Sequence, residues 1–332
     1  MGAITRWLLA LLMGLLLLVP TPGEEAKAWA APPAEVPLQV ALRVGNVYRF
    51  SARDKTYGAE GTLRLSAPAA EMQRWLTAGV DPVQLVRFEN LVEPWNSQIE
   101  ANSGPLRLGN RIGRDYHFSG TFYSDEINFR SYPFGTLPLQ LQMVADPSFP
   151  PDLSDPPKLQ LQPNSAQSGV HRSTNMNGYR LSGWRLVSAQ GGVEMQLSYN
   201  PIGWSALVKW VLPLTITMVV MLLTPNLRAS FSSERLAIPP VVLLTLVFMQ
   251  QAYRDSLPSL PYLTVLDGLY AFSYLVTLVF FCEFIWCANR NDRLGAAEGP
   301  LGERRIERLE LGLQLASLAG YSLLVAWAWG QR

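Results

Sequence analysis

The chain has 332 residues, enough for one or two domains that each bury an ordinary core. A formal net charge of +1 supplies no basic stripe for nucleic acid, and there is no acidic or basic tail. The hydrophobic fraction of 48% is unevenly spread: charges crowd into the first two-thirds, and the last third is mostly hydrocarbon.

Residues 1–30 read as an export signal, with Arg6 ahead of an apolar run at 7–19, a Pro-Thr-Pro-Gly break, and Ala28-Trp29-Ala30 as a small-x-small cleavage site. From Val36 the pattern has period two: Val36, Leu38, Val40, Leu42 and Val44 alternate with polar or small neighbours. Alternation resumes over 57–65 after the polar turn Arg53-Asp54-Lys55. Further strand-like runs lie at 84–88, 116–123, 127–130, 137–143, 158–162, 179–187 and 193–199, with one helix expected at 67–77. Gly191-Gly192 joins the last two runs as a compact hairpin. Many short strands with Gly, Pro and Asn between them indicate an all-β sandwich, immunoglobulin-like, over residues 31–203. It contains no cysteine, so no disulfide framework holds it.

Composition switches after Asn200-Pro201. Apolar stretches at 204–224, 236–253, 262–287 and 311–330 predict a four-helix transmembrane bundle over 204–332. Export of the N-terminus and an even number of spans put both termini outside. The loops that are then inside carry Arg228 and Arg235, and Arg290, Arg293, Arg304, Arg305 and Arg308, against Arg254 alone in the outer loop. Cys282 and Cys287 fall on different faces of the third stretch and read as buried, inert thiols.

The second stretch stands apart. It has a carboxylate at each end, Glu234 and Asp255, and no charge over 236–253. Ala237, Val241, Leu244, Phe248, Gln251 and Asp255 recur at steps of four and three, which at about 100° per residue is one narrow stripe. Such a stripe suits a pore lining, a lipid-facing surface or a bundle core. Pro239-Pro240 leaves two helix starts open. A start at Ser233 deprives the Arg235 and Leu236 carbonyls of their amide partners, whereas a start near Ile238 puts Pro239 at a favourable first position and Glu234 on a loop, where Arg235 can neutralise it. Asp267 and Glu283 are ionisable groups in or near the membrane, the first expected at the outer interface, the second snorkelling or paired with Arg290.

No metal, cofactor or enzyme activity is expected. His117 and His171 lack a partner at ligand spacing, Asp125-Glu126, Asp152 and Asp155 read as solvated loop charges, and there is no nucleophile elbow, phosphate loop or HExxH.

Four motifs then stand together: Asn128-Phe129-Arg130-Ser131-Tyr132-Pro133-Phe134, Asn200-Pro201 leading to Leu212-Pro213-Leu214, Ser233-Glu234-Arg235-Leu236, and the proline-bracketed turn at 257–267. In this order of parts the chain resembles the pentameric ligand-gated ion channels of the Cys-loop receptor superfamily, in particular the prokaryotic branch without the disulfide. The resemblance implies a homopentamer in the lipid of a bacterial inner membrane, its sandwich facing the periplasm. Around the fivefold axis Glu234 and Asp255 would draw inorganic cations into both mouths, and Ala237, Val241, Leu244, Phe248 and Gln251 would line a passage able to close by dewetting. It implies coupling through Asp54, Tyr132, Pro133, Phe134, Pro258, Pro261, Tyr262 and Asp267. It also implies an unidentified small ligand between outer domains, for which Trp95, Phe149 and Tyr179 are candidates by position. Two features depart from the family pattern: the hairpin tip at 188–193 is short and has no aromatic, and Gly135 stands where a carboxylate is usual. The alternatives are a non-conducting receptor-like sensor or assembly protein, and a membrane-anchored binding module.

Overall fold

Alternating side chains require one buried and one open face, and the N-terminal region meets this requirement with two packed sheets. The computed structural model describes residues 35–148, 158–171, 174, 176, 178–189, 191–227, 231–294 and 299–330, with side chains outside 291–305 and 328–330. The expected export signal and Phe149 lie outside the described residues. β1 (Val36–Ser51) and β2 (Thr56–Pro68) pair antiparallel, Val40 opposite Leu65 and Leu42 opposite Leu63. This register sends Leu38, Val40, Leu42 and Val44 into the core. β1 runs past the last alternating valine through a bulge between Val44 and Asn46.

The elements β3 (Val86–Phe88), β4 (Gln98–Ala101), β5 (Leu106–Leu108), β6 (Arg111–Tyr123), β7 (Leu137–Ala145), β8 (Leu159–Pro163), β9 (Gly169–Val170), β10 (Tyr179–Ala189) and β11 (Gly192–Pro201) complete the sheets. One is seven-stranded, in the order β4-β6-β2-β1-β8 with β5 on β6 and β9 on β1; the other is four-stranded, β10-β11-β7-β3. Leu63, Leu65 and Phe118 from the first meet Leu139, Leu141, Met195 and Leu197 from the second in one core. Phe88 approaches Phe118 across the layers at 5.3 Å, and the buried Tyr57 hydroxyl donates to the Gln140 carbonyl. A short helix, Ala69–Thr77, adds Met72 and Trp75 to this core.

Three expectations need correction. Residues 127–130 are not a strand: Ile127 and Phe129 are buried and their neighbours exposed, which mimics period two. The backbone instead turns, the Arg130 amide bonding to Asn128 Oδ1 and the Tyr132 amide to the Phe129 carbonyl. Only the end of 84–88 is strand, because Asp81 caps a 3-10 turn over Pro82–Leu85. The helix expected from 67 starts at Ala69, since Ala67 and Pro68 still pair with Ile112 and Arg111. β4 and β5, short and largely exposed, carry no alternation to announce them.

Among the described residues, four helices long and apolar enough to cross a membrane follow: Gly203–Asn226, Ser232–Asp255, Val265–Leu294 with its span at Val265–Arg290, and Gly299–Gly330 with its span at Ile306–Trp327. The second packs against the first and third, and the fourth against the third. The third starts at Val265 rather than near 262 because Thr264 caps it. Asp267 Oδ2 accepts from the Thr264 amide and hydroxyl at 2.9 and 2.8 Å, and Thr264 Oγ1 accepts from the Asp267 amide at 3.2 Å.

Two predictions follow from the sheets. A Cβ on Gly61 would lie 2.1 Å from the Arg43 carbonyl oxygen, which a backbone atom cannot relieve, whereas one on Gly183 meets nothing within 4 Å. Gly61→Ala is therefore expected to cost about 1–3 kcal/mol of thermal stability and Gly183→Ala no more than about 0.5. Separately, Arg64 grips Asp115 through two bonds of 2.5 and 2.6 Å and holds its carboxyl below the usual carboxylate range. A depressed pKa contributes stability at neutral pH that is lost as pH falls below about 4. Acid unfolding should be less steep in Asp115→Asn than in the wild type over that range.

Candidate functional site at the second apolar helix and its junction with the sheets

The second helix divides its faces cleanly. Arg235, Pro239, Val242, Leu246 and Tyr253 are buried against the rest of the chain. Opposite them Glu234, Ala237, Val241, Leu244, Phe248, Gln251 and Asp255 are all exposed, with Val241 at 63%, Leu244 at 56% and Phe248 at 63%. The stripe is thus no part of the bundle core of its own chain.

Of the two possible starts, the helix takes the longer one. It begins at Ser232 and contains both Pro239 and Pro240, so the Arg235 and Leu236 carbonyls have no amide four residues on. Glu234 is helical and exposed, accepting from Ser233 Oγ at 2.8 Å. Arg235 does not neutralise it. Arg235 is 4% exposed, donates to Glu310 on the fourth helix and at 2.8 Å to the Pro225 carbonyl closing the first, and lies 4.9 Å over the Phe284 ring of the third. One guanidinium therefore ties four helices at the end distant from the sheets. Glu283 does not snorkel: it is buried beside this tie and accepts from Cys287 Sγ at 2.8 Å. Arg290 lies over the Trp286 ring. The expectation of two buried thiols needs correction: only Cys287 is buried, and Cys282 is exposed because their spacing puts it on a different face of the helix.

At the other end the loop at 128–135 sits on the turn between the second and third helices. The Phe129 amide donates to Tyr262 Oη at 3.1 Å, the Val265 amide to the Arg130 carbonyl at 3.0 Å, and the Arg130 guanidinium covers the Tyr262 ring at 5.4 Å. Tyr132 stacks on Tyr253 at 6.1 Å, and Tyr253 also meets Trp210 at 5.4 Å and Tyr270 at 6.4 Å. Trp210 comes from a π-helical stretch, Leu207–Val211, just ahead of Pro213, where the Leu212 amide reaches back to the Leu207 carbonyl. Burial pushes the Tyr132 phenol above its ordinary pKa, opposed by a hydrogen bond with Trp210. Loop and three helices thus meet in one aromatic cluster.

Asp267 lies inside this junction, 2% exposed. Besides capping the third helix it forms a 2.8 Å ion pair with Arg254 at the end of the second. Tyr253 Oη and Thr264 Oγ1 share a hydrogen bond of 2.6 Å. Of the expected coupling residues, the structure brings Tyr132, Tyr262 and Asp267 together; Pro133 is buried in its loop, Phe134 and Pro258 are half-buried and Pro261 is exposed. Asp54 is exposed and accepts from Ser51 Oγ at 2.7 Å within its own turn. Sequence reasoning passed over Tyr253 and Trp210 and took Arg254 only as an outer-loop charge. For Tyr253 a signal existed, since it falls on the face opposite the stripe.

The two expected ligand residues that are described, Trp95 and Tyr179, stand in different surroundings. Trp95 is 84% exposed on a turn between β3 and β4. Tyr179 packs edge-on to Phe50 at 6.0 Å, pairs with Pro201 at the entry to the first helix, and has its phenol pushed up by burial and by nearby Tyr132. Tyr179 therefore belongs to the membrane-facing end of the sheets. His117 and His171 both line an open cavity of about 450 Å³ with Arg43, Glu60 and Thr62.

Compared with known families and with curated proteins, the chain matches no family model and no curated sequence.

Asp267→Ala removes a cap and leaves Arg254 without its carboxylate. It should cost at least about 2 kcal/mol in thermal unfolding, while Asp54→Ala, at an exposed turn, should stay within about 0.5.

Proposed function

We propose that the chain is one subunit of a homopentameric, ligand-gated, cation-permeable channel in a bacterial inner membrane, its pore lined by the second helix. The observation that carries this reading is the uncovered stripe from Glu234 to Asp255, apolar through the middle and acidic at both tips, on a helix whose opposite face is fully engaged. The first and fourth helices expose Ile216, Val219, Leu223, Leu311, Leu315, Leu318 and Leu323, surfaces suited to acyl chains. Carboxylates and Gln251 on the same line as Val241, Leu244 and Phe248 suit water and ions better.

Around a fivefold axis the two carboxylate rings raise the local cation concentration. At Val241, Leu244 and Phe248 an ion that sheds water finds no replacement ligand, so a modest narrowing closes the passage by dewetting. The two packed sheets, read as an immunoglobulin-like sandwich on the periplasmic side, would bind a small ligand between neighbours. Movement there would reach the pore through Tyr132 on Tyr253 and through the turn held by Asp267. Arginines toward the far ends of the second, third and fourth helices, Arg235, Arg290 and Arg308 among them, support an orientation with both termini outside.

Pro239 and Pro240 favour a second reading, a non-conducting receptor-like sensor or assembly protein, because they leave carbonyls unpaired beside the proposed pore.

Stoichiometry in native-like lipid and currents from the reconstituted chain separate the two. Five copies are expected, with cation currents. Leu244→Ser should open more readily, since each hydroxyl offers an ion or water a hydrogen bond worth on the order of 1 kcal/mol, and Glu234→Gln should shift the reversal potential in a salt gradient toward that of the anion. A monomer or dimer overturns the channel; a pentamer silent even as Leu244→Ser favours the sensor.

A further inference from the structure

We propose that Glu283, Cys287 and Glu310 form a buried site for a thiophilic divalent cation of the zinc class, bridging the third and fourth helices. Glu283 and Cys287 are one helical turn apart and so share a face, and Glu310 meets that face from the fourth helix. All three are buried, and one ligand atom from each lies within 4.8 Å of the others. Ligands at roughly 2.0–2.3 Å from a tetrahedral ion stand about 3.5 Å from one another, so small side-chain rotations bring this set to bonding distance.

A second observation points to an occupant. Glu283 is 7% exposed, its Oε1 accepts only from Cys287 within the cluster, and its Oε2 has no hydrogen-bond partner. An orphaned buried carboxylate oxygen is costly. Arg235 accounts for Glu310, which it grips directly, but leaves this atom unpaired. With Cys287 as thiolate, the negative charges of two carboxylates and a sulfur are matched by Arg235 and a divalent cation, so the loaded cluster is neutral. The Cys287 proton, now donated to Glu283, leaves to solvent as the sulfur–metal bond forms. Two oxygens and one sulfur give the three protein ligands of an open tetrahedral site, with water as the fourth. Sulfur and so few oxygens select against magnesium and calcium. The site lies within one chain and does not depend on the pore reading.

The test uses the full chain, purified free of metal, titrated with cadmium and followed by the ultraviolet thiolate-to-metal charge-transfer band. The band should saturate at one ion per chain, persist in Cys282→Ser and vanish in Cys287→Ser, and zinc should compete it away. Glu283→Gln should weaken cadmium binding more than about tenfold, since even outer-shell partners cost that much. No band, a band that follows Cys282 rather than Cys287, or wild-type affinity in Glu283→Gln overturns the site. Should Cys287→Ser fail to fold, wild-type thermal unfolding decides: zinc must raise the midpoint and a chelator must reverse it, and no shift overturns the proposal.

Discussion

Asp267 is the contact on which the arrangement of the second helix depends. One buried carboxylate ends one helix and begins the next, pairing with Arg254 on one side and taking the Thr264 amide and hydroxyl on the other. Thr264 in turn shares a hydrogen bond with Tyr253, whose ring carries Tyr132, Trp210 and Tyr270. The chain of contacts runs directly from loop to turn to helix. A buried charge of this kind is stable only while its partners stay in place, so the turn between the two helices behaves as a fixed corner.

The opposite end of the helix is held by the same physics with the sign reversed. Arg235 is a buried cation that reaches Glu310 and the Pro225 carbonyl and rests on Phe284, so each of the four helices contributes. Leaving Glu234 outside this tie keeps one acidic side chain exposed at that tip, as Asp255 is at the other. Neighbouring residues of opposite charge thus have separate duties because successive residues on a helix point about 100° apart.

How much of this was legible in the sequence depends on how local each determinant is. The alternation from Val36 and the switch at Pro201 depend on near neighbours, and they located the sheets and the four apolar helices. The stripe from Ala237 to Asp255 was legible for the same reason, as was the third helix's cap once Thr264 and Asp267 are seen three apart. The fate of Arg235 was not, because Glu310 stands 75 residues away and nothing local distinguishes a buried arginine from a loop charge. The Tyr253 cluster needed four separate segments to converge. At 127–130 local pattern misled, since a turn that buries every second residue has the period of a strand without a neighbouring strand to pair with.

Both ends of the second helix are held by ion pairs with a buried member, and apart from the hydrogen bonds that Gln250 and Met249 accept from Tyr274 and Thr217 in its upper half, what lies between them is different in kind. Val242 and Leu246 face the rest of the chain through non-directional apolar packing, and Pro239 and Pro240 interrupt the hydrogen-bond ladder one turn above Arg235. Apolar contacts tolerate sliding far better than an ion pair tolerates separation, and a helix lacking two ladder bonds bends there at least cost. A change in what the stripe presents is therefore easiest by bending at the proline pair, with Asp267 and Arg235 still engaged. Rigid rotation of the whole helix would have to break either the buried Arg235–Glu310 pair, a cost of several kcal/mol, or the half-exposed pair of Arg254 with Asp267. In the proposed pore this places the flexible point below Val241, Leu244 and Phe248, so that tilting of the upper segment, driven from the corner at Asp267, would set how closely those side chains approach the axis.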